Sequence, residues 1–322
     1  MFFEGPEKKV ELVVGPDFPS LRSFGVERWR KVVEKSQSQI LSEIHNKSCD
    51  AYLLSESSLF VYDDWLLMLT CGRTTLVAAV LEMLSFIPED KVLSLIYERK
   101  NEHFPHLQRT SFFDDAHALN ERLPGKAFRF GSQDEHHICV FHTTKPYQPV
   151  SDDQTMEILM HGVGERARDI FCAGTRHTIE YIRDTTGIRN IYEGFAIDDF
   201  VFQPQGYSLN AIRGKEYYTI HVTPEEAGSY VSFETNRKLD RDAMNETLDR
   251  LLSIFTPRSF DLVLFQYERK PDLLEILGYQ ARTEVRQKLD CGYRVWFQHY
   301  SRPVDSAPKR AFEFELPERK PA

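Results

Sequence analysis

The feature that most constrains the fold is an internal repeat in the order of the predicted elements. In each half of the chain a hairpin precedes a helix that stops at a proline, and the next strand ends in Tyr-Glu-Arg-Lys, at residues 97–100 and 267–270. The tetrapeptide alone is best treated as chance, but the matching order indicates two similar halves. Such halves are typical of two antiparallel sheets packed face to face with helices outside. We expect an α+β fold, a four-layer α/β-β/α sandwich with pseudo-duplicated halves, in a single domain over residues 1–322.

Hydrophobic periodicity and capping residues place the other elements. Helical spacing runs from Val26 to Ile44, which predicts one amphipathic helix over residues 26–45. Residues 173–210 are predicted to be rich in loops, and prolines and charges predict a loose tail over about 303–322. The remaining predictions are strands in the second half of 1–14, over 92–97, 262–267 and 293–299 and twice within 128–143, a hairpin within 217–235, and helices capped near Thr74 and Asp240, around 113–122 and within 155–171.

Composition places the chain among globular proteins with an excess of acidic residues. Of its 322 residues, 41% are hydrophobic and 28% are charged, and the formal net charge is −9. This charge argues against nucleic acid or an anionic membrane as a partner and suits a cationic ligand. Five cysteines without short-spaced pairs predict neither disulfides nor a zinc site. Without a signal peptide or a bilayer-spanning apolar run, the expected location is cytoplasmic.

The segment from Leu53 to Val61 combines a strand pattern with a polar interruption. Three serines and Glu56 stand between apolar runs, which on pattern alone indicates the turn of a hairpin. A returning strand is predicted over residues 65–70, and Cys71-Gly72 follows it at once. Since the serines and the cysteine would lie at the ends of paired strands, this hairpin is a rigid support for chemistry.

A second polar group lies in the hairpin predicted within residues 217–235. Strand alternation places Thr219, His221 and Thr223 on one face. A single histidine in a strand is more often structural than catalytic, so the pattern alone does not decide its role. In two facing sheets this hairpin would be the counterpart of the serine hairpin, and residues of both would converge.

Several motifs together resemble the eukaryotic-type S-adenosylmethionine decarboxylases. They occur in the family's order and extend to Cys291, so the resemblance covers nearly the whole chain. It implies an enzyme that decarboxylates S-adenosylmethionine, the aminopropyl donor for spermidine and spermine, with a self-generated pyruvoyl group and neither pyridoxal phosphate nor a metal. The motifs are Phe3-Glu4-Gly5 with Glu7, residues 54–58 with Thr70-Cys71-Gly72, Asp153-Gln154-Thr155 with 157–160, Gly206-Tyr207-Ser208 with Asn210, 219–225 and 230–236.

The resemblance implies self-cleavage between Glu56 and Ser57. The Ser57 hydroxyl attacks the Glu56 carbonyl, the amide becomes an ester, and elimination and hydrolysis leave a small chain, 1–56, and a pyruvoyl chain, 57–322. In the mature family members this carbonyl forms a Schiff base with the substrate amine. Amide rearrangement needs a strained, polarised peptide and nearby proton carriers. His221 matches the family's processing base, and Ser208 matches the residue that assists proton movement.

Further residues match the family's catalytic and substrate-binding positions. Cys71 matches the residue that reprotonates the α-carbon, although a small buried thiol is the commoner fate of cysteine. Phe3 and Phe202 match aromatic residues that enclose adenine and face the sulfonium. Glu225 matches a carboxylate that accepts from the ribose hydroxyls. The remaining matches are Glu4 and Glu7, acidic residues needed for activity, and Leu54 and Glu56, which bind substrate.

The resemblance also implies a buried acidic cluster, which binds the activator putrescine in animal members. Carboxylates buried together need protons or cations nearby, and plant members, which putrescine does not activate, carry basic side chains there. Lys9 stands where plants have arginine, and Arg286 falls near another such position, although both could be solvated surface charges. We expect an internal cation and weak or absent stimulation by putrescine. The residues that match this cluster are Glu11, Asp153, Thr155, Glu157 and Glu234.

Two other functions are left open by the sequence. A catalytically inactive regulatory paralogue, which activates a decarboxylase partner, would be expected to lose the serine, whereas Ser57 is present. A decarboxylase for another amino acid is opposed by the nucleoside-binding matches. The expected partners are S-adenosylmethionine and the chain's own small fragment. A homodimer, a heterodimer with a paralogue and bound putrescine are left open.

Overall fold

A computed structural model of the chain describes residues 3–151, 153–172, 177–225, 228–267 and 275–303. The first sheet contains β1 (Lys8–Val14), β2 (Ile40–His45), β3 (Asp50–Leu54), β4 (Ser57–Val61), β5 (Trp65–Thr70), β6 (Val92–Lys100), β7 (Gly125–Phe130) and β8 (Ile138–Thr143). The second contains β9 (Gln154–His161), β10 (Ala196–Val201), β11 (Tyr207–Arg213), β12 (Glu216–Thr223), β13 (Tyr230–Thr235), β14 (Ser259–Gln266), β15 (Gln280–Lys288) and β16 (Arg294–Ser301). The α-helices are α1 (Gly25–Lys35), α2 (Leu76–Met83), α3 (Phe112–Asn120), α4 (Glu165–Phe171), α5 (Ile179–Thr186) and α6 (Arg241–Phe255).

The two sheets have the same strand order. The first runs β2-β3-β4-β5-β1-β6-β8-β7, and the second runs β10-β11-β12-β13-β9-β14-β16-β15, with antiparallel pairing throughout the described ladders. Each strand of the first sheet therefore has a counterpart eight strands later. Apolar side chains of α1, α2 and α3 pack with the first sheet, and those of α4, α5 and α6 pack with the second. The predicted four-layer sandwich with pseudo-duplicated halves is confirmed.

The interface between the sheets alternates apolar and charged regions. One apolar cluster joins residues such as Ile96 and Val263, and another joins Phe60 and Tyr217. Buried ionisable side chains also lie in this interface. The Lys9 ammonium of the first sheet lies over the Phe265 ring of the second, 5.2 Å from its centroid. Burying charge is costly unless each group is paired or protonated. The fold therefore depends on how these charges are arranged.

The predicted helix over residues 26–45 is wrong in its second half. Helix α1 ends at Lys35, Gln37 takes a positive φ of 70°, and β2 follows. Ile40 and Ile44 are spaced for one helical face, but they also share a face in a strand. The alternating exposure along β2 and its pairing with β3 show that the period of two prevails here.

Two other regions are more regular than their composition indicated. Residues 173–210 contain α5, β10 and the start of β11. Strand β15 was not predicted because it is an edge strand whose side chains are mostly exposed, so it lacks an apolar alternation. The predicted tail, apart from its first residue, lies outside the described residues.

Candidate active site

The serine hairpin is strained beside the bond that the sequence singled out. Strands β3 and β4 are joined by Ser55-Glu56, and Leu54 pairs with Ser57 across the turn. Ser57 is 1% exposed and has a φ of 129°. A residue with a Cβ rarely adopts positive φ, and this conformation costs roughly 1–3 kcal/mol. The hairpin therefore stores strain at the Glu56–Ser57 peptide.

The Glu56 carbonyl is polarised by one residue. Its oxygen accepts the backbone N–H of Cys71 at 2.8 Å and the Cys71 thiol at 3.3 Å. Burial, with added repulsion from Glu56 and Glu7, raises the pKa of this thiol well above its usual value, so the thiol keeps its proton. Two donors on one carbonyl form an arrangement that stabilises a negatively charged oxygen.

Gly72 allows this close approach. It takes a φ of +65°, and a Cβ there would lie 3.0 Å from the Glu56 carboxylate and from the Phe3 ring. Its backbone N–H donates to the Glu4 carbonyl at 2.8 Å. The glycine after Cys71 is therefore required by both backbone conformation and space.

The Ser57 hydroxyl donates to a buried carboxylate. Its oxygen lies 3.2 Å from Glu7 Oε1. Glu7 Oε2 in turn lies 3.1 Å from the Lys100 ammonium. A carboxylate beside a hydroxyl is a candidate proton acceptor.

His221 is held by hydroxyl groups on both ring nitrogens. Nδ1 lies 2.8 Å from Ser208 Oγ, and Nε2 lies 2.8 Å from Thr219 Oγ1 and 3.1 Å from Ser58 Oγ. Burial lowers the pKa of the imidazole to about 4, so the ring is a neutral base at pH 7. Its Nε2 lies 4.0 Å from Glu7. In the serine hairpin, the hydroxyl in contact with His221 is that of Ser58.

A cavity of about 410 Å³ opens beside the hairpin. The backbone N–H of Phe3 donates to both Glu225 oxygens, at 3.1 and 3.0 Å. Burial raises the pKa of the Glu56 carboxyl to about 7, and its Oε2 has no hydrogen-bond partner among the described residues. The cavity is lined by most of the predicted substrate and processing residues, namely Phe3, Glu56, Ser57, Cys71, Phe202, Ser208, His221 and Glu225.

Glu4 does not line the cavity, and its carboxylate is bound to a neighbouring loop. Its carboxylate accepts the backbone N–H groups of His103 at 2.9 Å and Phe104 at 2.7 Å. Burial raises the pKa of Glu4, and the two N–H donors oppose that shift. Glu4 therefore connects the segment before β1 to the loop after β6.

The predicted acidic cluster holds two buried lysines. Lys9 lies 2.7 Å from Glu157 and 3.2 Å from Glu234, and Lys100 lies 3.1 Å from Glu157. Burial opposes the charge on Lys9, but the carboxylates outweigh it and raise its pKa. The pKa of Glu157 falls to about 2, because the two ammonium groups outweigh its burial. Glu98 is buried opposite Lys9, and burial raises its pKa well above the usual value.

The other members of the cluster lie around Tyr293. Its hydroxyl donates to Asp153 at 2.5 Å and lies 3.5 Å from Glu11 Oε1. Burial and the Asp153 charge raise the pKa of Glu11 to about 8. Thr155 is buried on β9. The predicted acidic residues are thus all buried or half-buried between the sheets.

Comparison with known proteins decides the family. A family model described as adenosylmethionine decarboxylase matches residues 1–301. The chain belongs to the adenosylmethionine decarboxylase family.

Relatives in this family come from distant eukaryotes. The chain is 32% identical to the S-adenosylmethionine decarboxylase proenzyme of Dictyostelium discoideum, over 92% of this chain and 85% of the relative. It is 31% identical to S-adenosylmethionine decarboxylase proenzyme 3 of Arabidopsis thaliana, over 97% and 98%. The crystal structure of the Trypanosoma brucei AdoMetDC-delta26 monomer matches with a TM-score of 0.58 and 24% identity, over 76% of this chain and 99% of that one. The family prediction is confirmed, and the last match supports the fold.

The placement of two predicted residues differs from expectation. Arg286 does not join the charged cluster, because it lies exposed on edge strand β15 and pairs with Glu284 at 2.5 Å. Leu54 does not line the cavity, since its side chain is buried in the core between the first sheet and its helices. Its backbone sets the hairpin register opposite Ser57.

Sequence reasoning missed Lys100 and Glu98, which lie in the charged cluster of this family member. Both are on β6, two positions apart, so they share the face that also carries Ile96. The run of three charged residues at the end of this apolar strand, Glu98-Arg99-Lys100, was a usable signal. No helix in the described part of the chain is long and apolar enough to cross a membrane.

Proposed function

We propose that this family member is a self-cleaving, pyruvoyl-dependent decarboxylase of S-adenosylmethionine that supplies the aminopropyl donor for spermidine and spermine. The observation that carries the proposal is the Glu56–Ser57 peptide. Its serine has a positive φ, and its carbonyl accepts two hydrogen bonds from Cys71. A strained and polarised amide next to a hydroxyl is the starting point that an acyl shift requires.

The first step moves the acyl group from nitrogen to oxygen. The Ser57 Oγ attacks the Glu56 carbonyl carbon, the C–N bond breaks, and an ester forms. Glu7 accepts the hydroxyl proton, since it is the carboxylate in contact with that hydroxyl. The proton then passes to the departing Ser57 nitrogen, which becomes an amine. The Cys71 N–H and thiol stabilise the negative charge on the carbonyl oxygen.

The second step requires another base. Removal of the Ser57 Cα proton breaks the ester C–O bond, which releases Glu56 as a carboxylate and leaves dehydroalanine. We assign this proton to His221, because its ring is neutral and Ser208 and Thr219 fix its orientation. After tautomerisation, water adds, ammonia leaves, and the larger chain begins with a ketone.

The single domain stays together after cleavage. The small chain, 1–56, contributes β1, β2 and β3, and β1 is paired between β5 and β6 in the middle of the first sheet. Its apolar side chains are fully buried, for example Val10 and Leu12. The small chain is therefore a permanent partner, held by backbone pairing and burial.

The cavity suits a nucleoside with a sulfonium group. The pyruvoyl ketone supplies the electron sink for the loss of carbon dioxide. Phe3 and Phe202 offer rings to adenine and to the sulfonium, and Glu225 offers oxygens to the ribose hydroxyls. The protonated Cys71 thiol returns a proton to the α-carbon. We place this reaction in the cytoplasm.

Putrescine regulation follows from the same geometry. Lys9 and Lys100 already supply two positive charges to the acidic cluster, the charge that a diamine would bring. Contacts run from Lys9 through Glu157 and Lys100 to Glu7, which touches Ser57. The cluster is therefore occupied by the chain's own cations, and putrescine gives weak or no stimulation.

Replacing Lys9 should create a dependence on the diamine. Lys9→Leu removes one buried cation, so Glu157 and Glu234 lose a partner and putrescine can bind in its place. Decarboxylation is measured with and without saturating putrescine in the parent, in Lys9→Leu and in Lys47→Leu, an exposed control. Stimulation confined to Lys9→Leu supports the assignment, and strong stimulation of the parent contradicts it.

The function itself is tested by release of labelled carbon dioxide from carboxyl-labelled S-adenosylmethionine. The purified chain should release it, and ornithine or arginine at the same concentration should not be turned over. An inactive regulatory paralogue would run as a single chain on a denaturing gel and would release none. No observation in the described residues favours that alternative, since Ser57, Cys71, Ser208 and His221 all line one cavity.

A further inference from the structure

A second cluster of ionisable side chains lies away from the cleavage site and takes no part in the proposed reaction. His161 ends β9, Asp261 lies on β14 and His299 lies on β16. His136 reaches the same place from the connection between β7 and β8 in the other sheet. The cluster therefore spans the two sheets.

Asp261 stands at the centre of this group. Its Oδ1 lies 2.6 Å from His299 Nδ1, and its Oδ2 lies 3.2 Å from His161 Nε2. The His136 ring stacks on the His161 ring with centroids 3.8 Å apart. One donor atom from each of His136, His161 and Asp261 falls within 4.8 Å of the other two.

The cluster also contains polar atoms without partners. The Nδ1 atoms of His136 and His161 are buried and accept or donate no hydrogen bond among the described residues, and the same holds for Nδ1 of the neighbouring His103. His161 is only 6% exposed. Buried imidazole nitrogens normally have a partner, so these nitrogens require another explanation.

We propose that His136, His161 and Asp261 bind a divalent transition metal of the zinc class. Two imidazoles and a carboxylate are the donors that zinc takes, whereas magnesium and calcium take oxygen donors. Donors in a tetrahedral zinc site lie roughly 3.4 Å apart, so each needs to move inward by about 1 Å. The His136 ring must also turn out of its stack on His161, because an ion lies in the plane of each imidazole that binds it, and His136 is on a connecting segment that can make this turn.

His299 orients the site rather than binding the ion. Its Nδ1 contact with the Asp261 carboxylate is the kind of outer contact that fixes a metal-binding carboxylate. The ion would join the β7–β8 connection to the second sheet. It would also sit beside His103, whose ring centroid lies 6.0 Å from that of His161 and whose backbone supports Glu4. The proposed role is structural and includes no catalytic step.

Cobalt is the probe for the first test, because its visible absorption reports the coordinating atoms. The purified full chain is treated with a chelator, dialysed and titrated with Co²⁺, and then with Zn²⁺ as a competitor. We expect about one equivalent bound per chain, displaced by Zn²⁺, and a rise in unfolding temperature with Zn²⁺ because a ligand that binds only the folded state stabilises it.

Matched variants locate the ion. His136→Gln and Asp261→Asn should each weaken Co²⁺ binding by at least about tenfold and abolish the Zn²⁺-dependent rise in unfolding temperature. His117→Gln, an exposed histidine on α3, should bind as the parent does. His136 lies on a connecting segment, so its variant is expected to fold, and circular dichroism checks both variants.

Two results would overturn the proposal. The first is a parent chain that binds no stoichiometric Co²⁺ or Zn²⁺, which would leave a metal-free His–Asp–His hydrogen-bond network. The second is equal affinity in the parent and in a folded His136→Gln or Asp261→Asn, which would mean an adventitious ion elsewhere. Neither result depends on the decarboxylase assignment, since no measurement uses activity.

Discussion

The β3–β4 and β11–β12 hairpins occupy equivalent positions in the two sheets. Each hairpin has a four-residue turn, residues 54–57 in the first sheet and 213–216 in the second. The first and last residues of each turn pair with each other. In each turn the carbonyl of the third residue, Glu56 or Lys215, accepts a hydrogen bond. The donor residue comes directly after the strand that follows the hairpin, β5 or β13. The donor is Cys71 in the first sheet and the Asn236 side chain, at 2.9 Å, in the second.

The difference lies in where each hairpin places its unusual backbone angle. The second turn has Gly214 at a φ of +59°, which a glycine adopts without strain. The first turn contains no glycine, and Ser57 takes a φ of 129°. Glu216, the counterpart of Ser57, has no hydroxyl and pairs with Arg213. Under the proposed mechanism, cleavage needs strain, a nucleophile and a proton acceptor in addition to the carbonyl contact, so we expect it in the first hairpin alone.

The largest effect is expected when the proposed nucleophile is removed from the first hairpin. Ser57→Ala should leave one uncleaved and inactive chain, because alanine cannot attack the Glu56 carbonyl. The measurement is a denaturing gel with a decarboxylation assay. Ser55→Ala, one residue before the scissile peptide, is the matched control and should still cleave. Cleavage at this bond in Ser57→Ala would refute the mechanism.

The reverse exchange asks whether a hydroxyl alone suffices. Glu216→Ser gives the second hairpin a nucleophile but neither the positive φ nor a neighbour equivalent to Glu7. We expect no second cut. Mass spectrometry should show the same two chains, with only the mass change of the substitution in the large chain. A cut between Lys215 and residue 216 would show that the strain at Ser57 is dispensable.

A smaller effect is expected from the proton acceptor. Glu7→Gln keeps the shape but cannot take the Ser57 proton, so self-cleavage should slow by about 10²–10⁴-fold. The rate is followed in freshly translated chain by pulse and chase. Glu11→Gln is the control on the same segment, because the pKa of Glu11 is already about 8 and the amide resembles its protonated form. Equal rates in these two variants would remove Glu7 from the mechanism.

Cys71→Ala should act mainly after cleavage. The backbone N–H of residue 71 still polarises the Glu56 carbonyl, so the chain is processed, more slowly than the parent. Turnover should be poor, and wrong protonation should convert the pyruvoyl group to alanine by transamination. The mass of the large chain after incubation with substrate detects this change. Unchanged turnover and an unchanged large chain would make Cys71 a structural thiol.

The smallest effect is expected in the β11–β12 turn, to which we assign no chemistry. Gly214→Ala should cost about 1 kcal/mol of folding free energy, because a Cβ disfavours positive φ, while no heavy atom lies within 4 Å of that Cβ. Chemical denaturation measures the loss, with Lys215→Ala as the control. Self-cleavage should be normal in both. A loss of cleavage in Gly214→Ala would mean that the two hairpins are coupled through the sheets.

The fold was predictable because repetition is visible in sequence. The matching order of hairpin, helix and strand in the two halves is visible without any knowledge of contacts. It predicts two sheets with similar topology, and the structure has them. Strand β15 escaped prediction because its polar side chains carry no burial signal. The region after α1 was misread since Ile40 and Ile44 fit two periods at once, and only the pairing of β2 with β3 separates them.

The site residues that belong to a sequence motif were predictable. The contacts between side chains on distant strands were not. The resemblance pointed to Ser57, Cys71 and His221, but it did not show that the Ser57 hydroxyl faces Glu7. Lys100 was overlooked although its strand ends in three consecutive charged residues. Arg286 was preferred because sequence spacing cannot show which face of an edge strand meets the interior. The histidine–aspartate cluster was invisible for the same reason, since its members come from four separate segments.

The intact mass of the purified protein tests the central claim most directly. The account predicts two species, a small chain ending at Glu56 and a large chain starting at position 57. The large chain should be lighter by one ammonia than the same chain with an N-terminal serine, because its first residue is a pyruvoyl group. A single full-length mass, or a large chain that starts with an unmodified serine, would contradict the account.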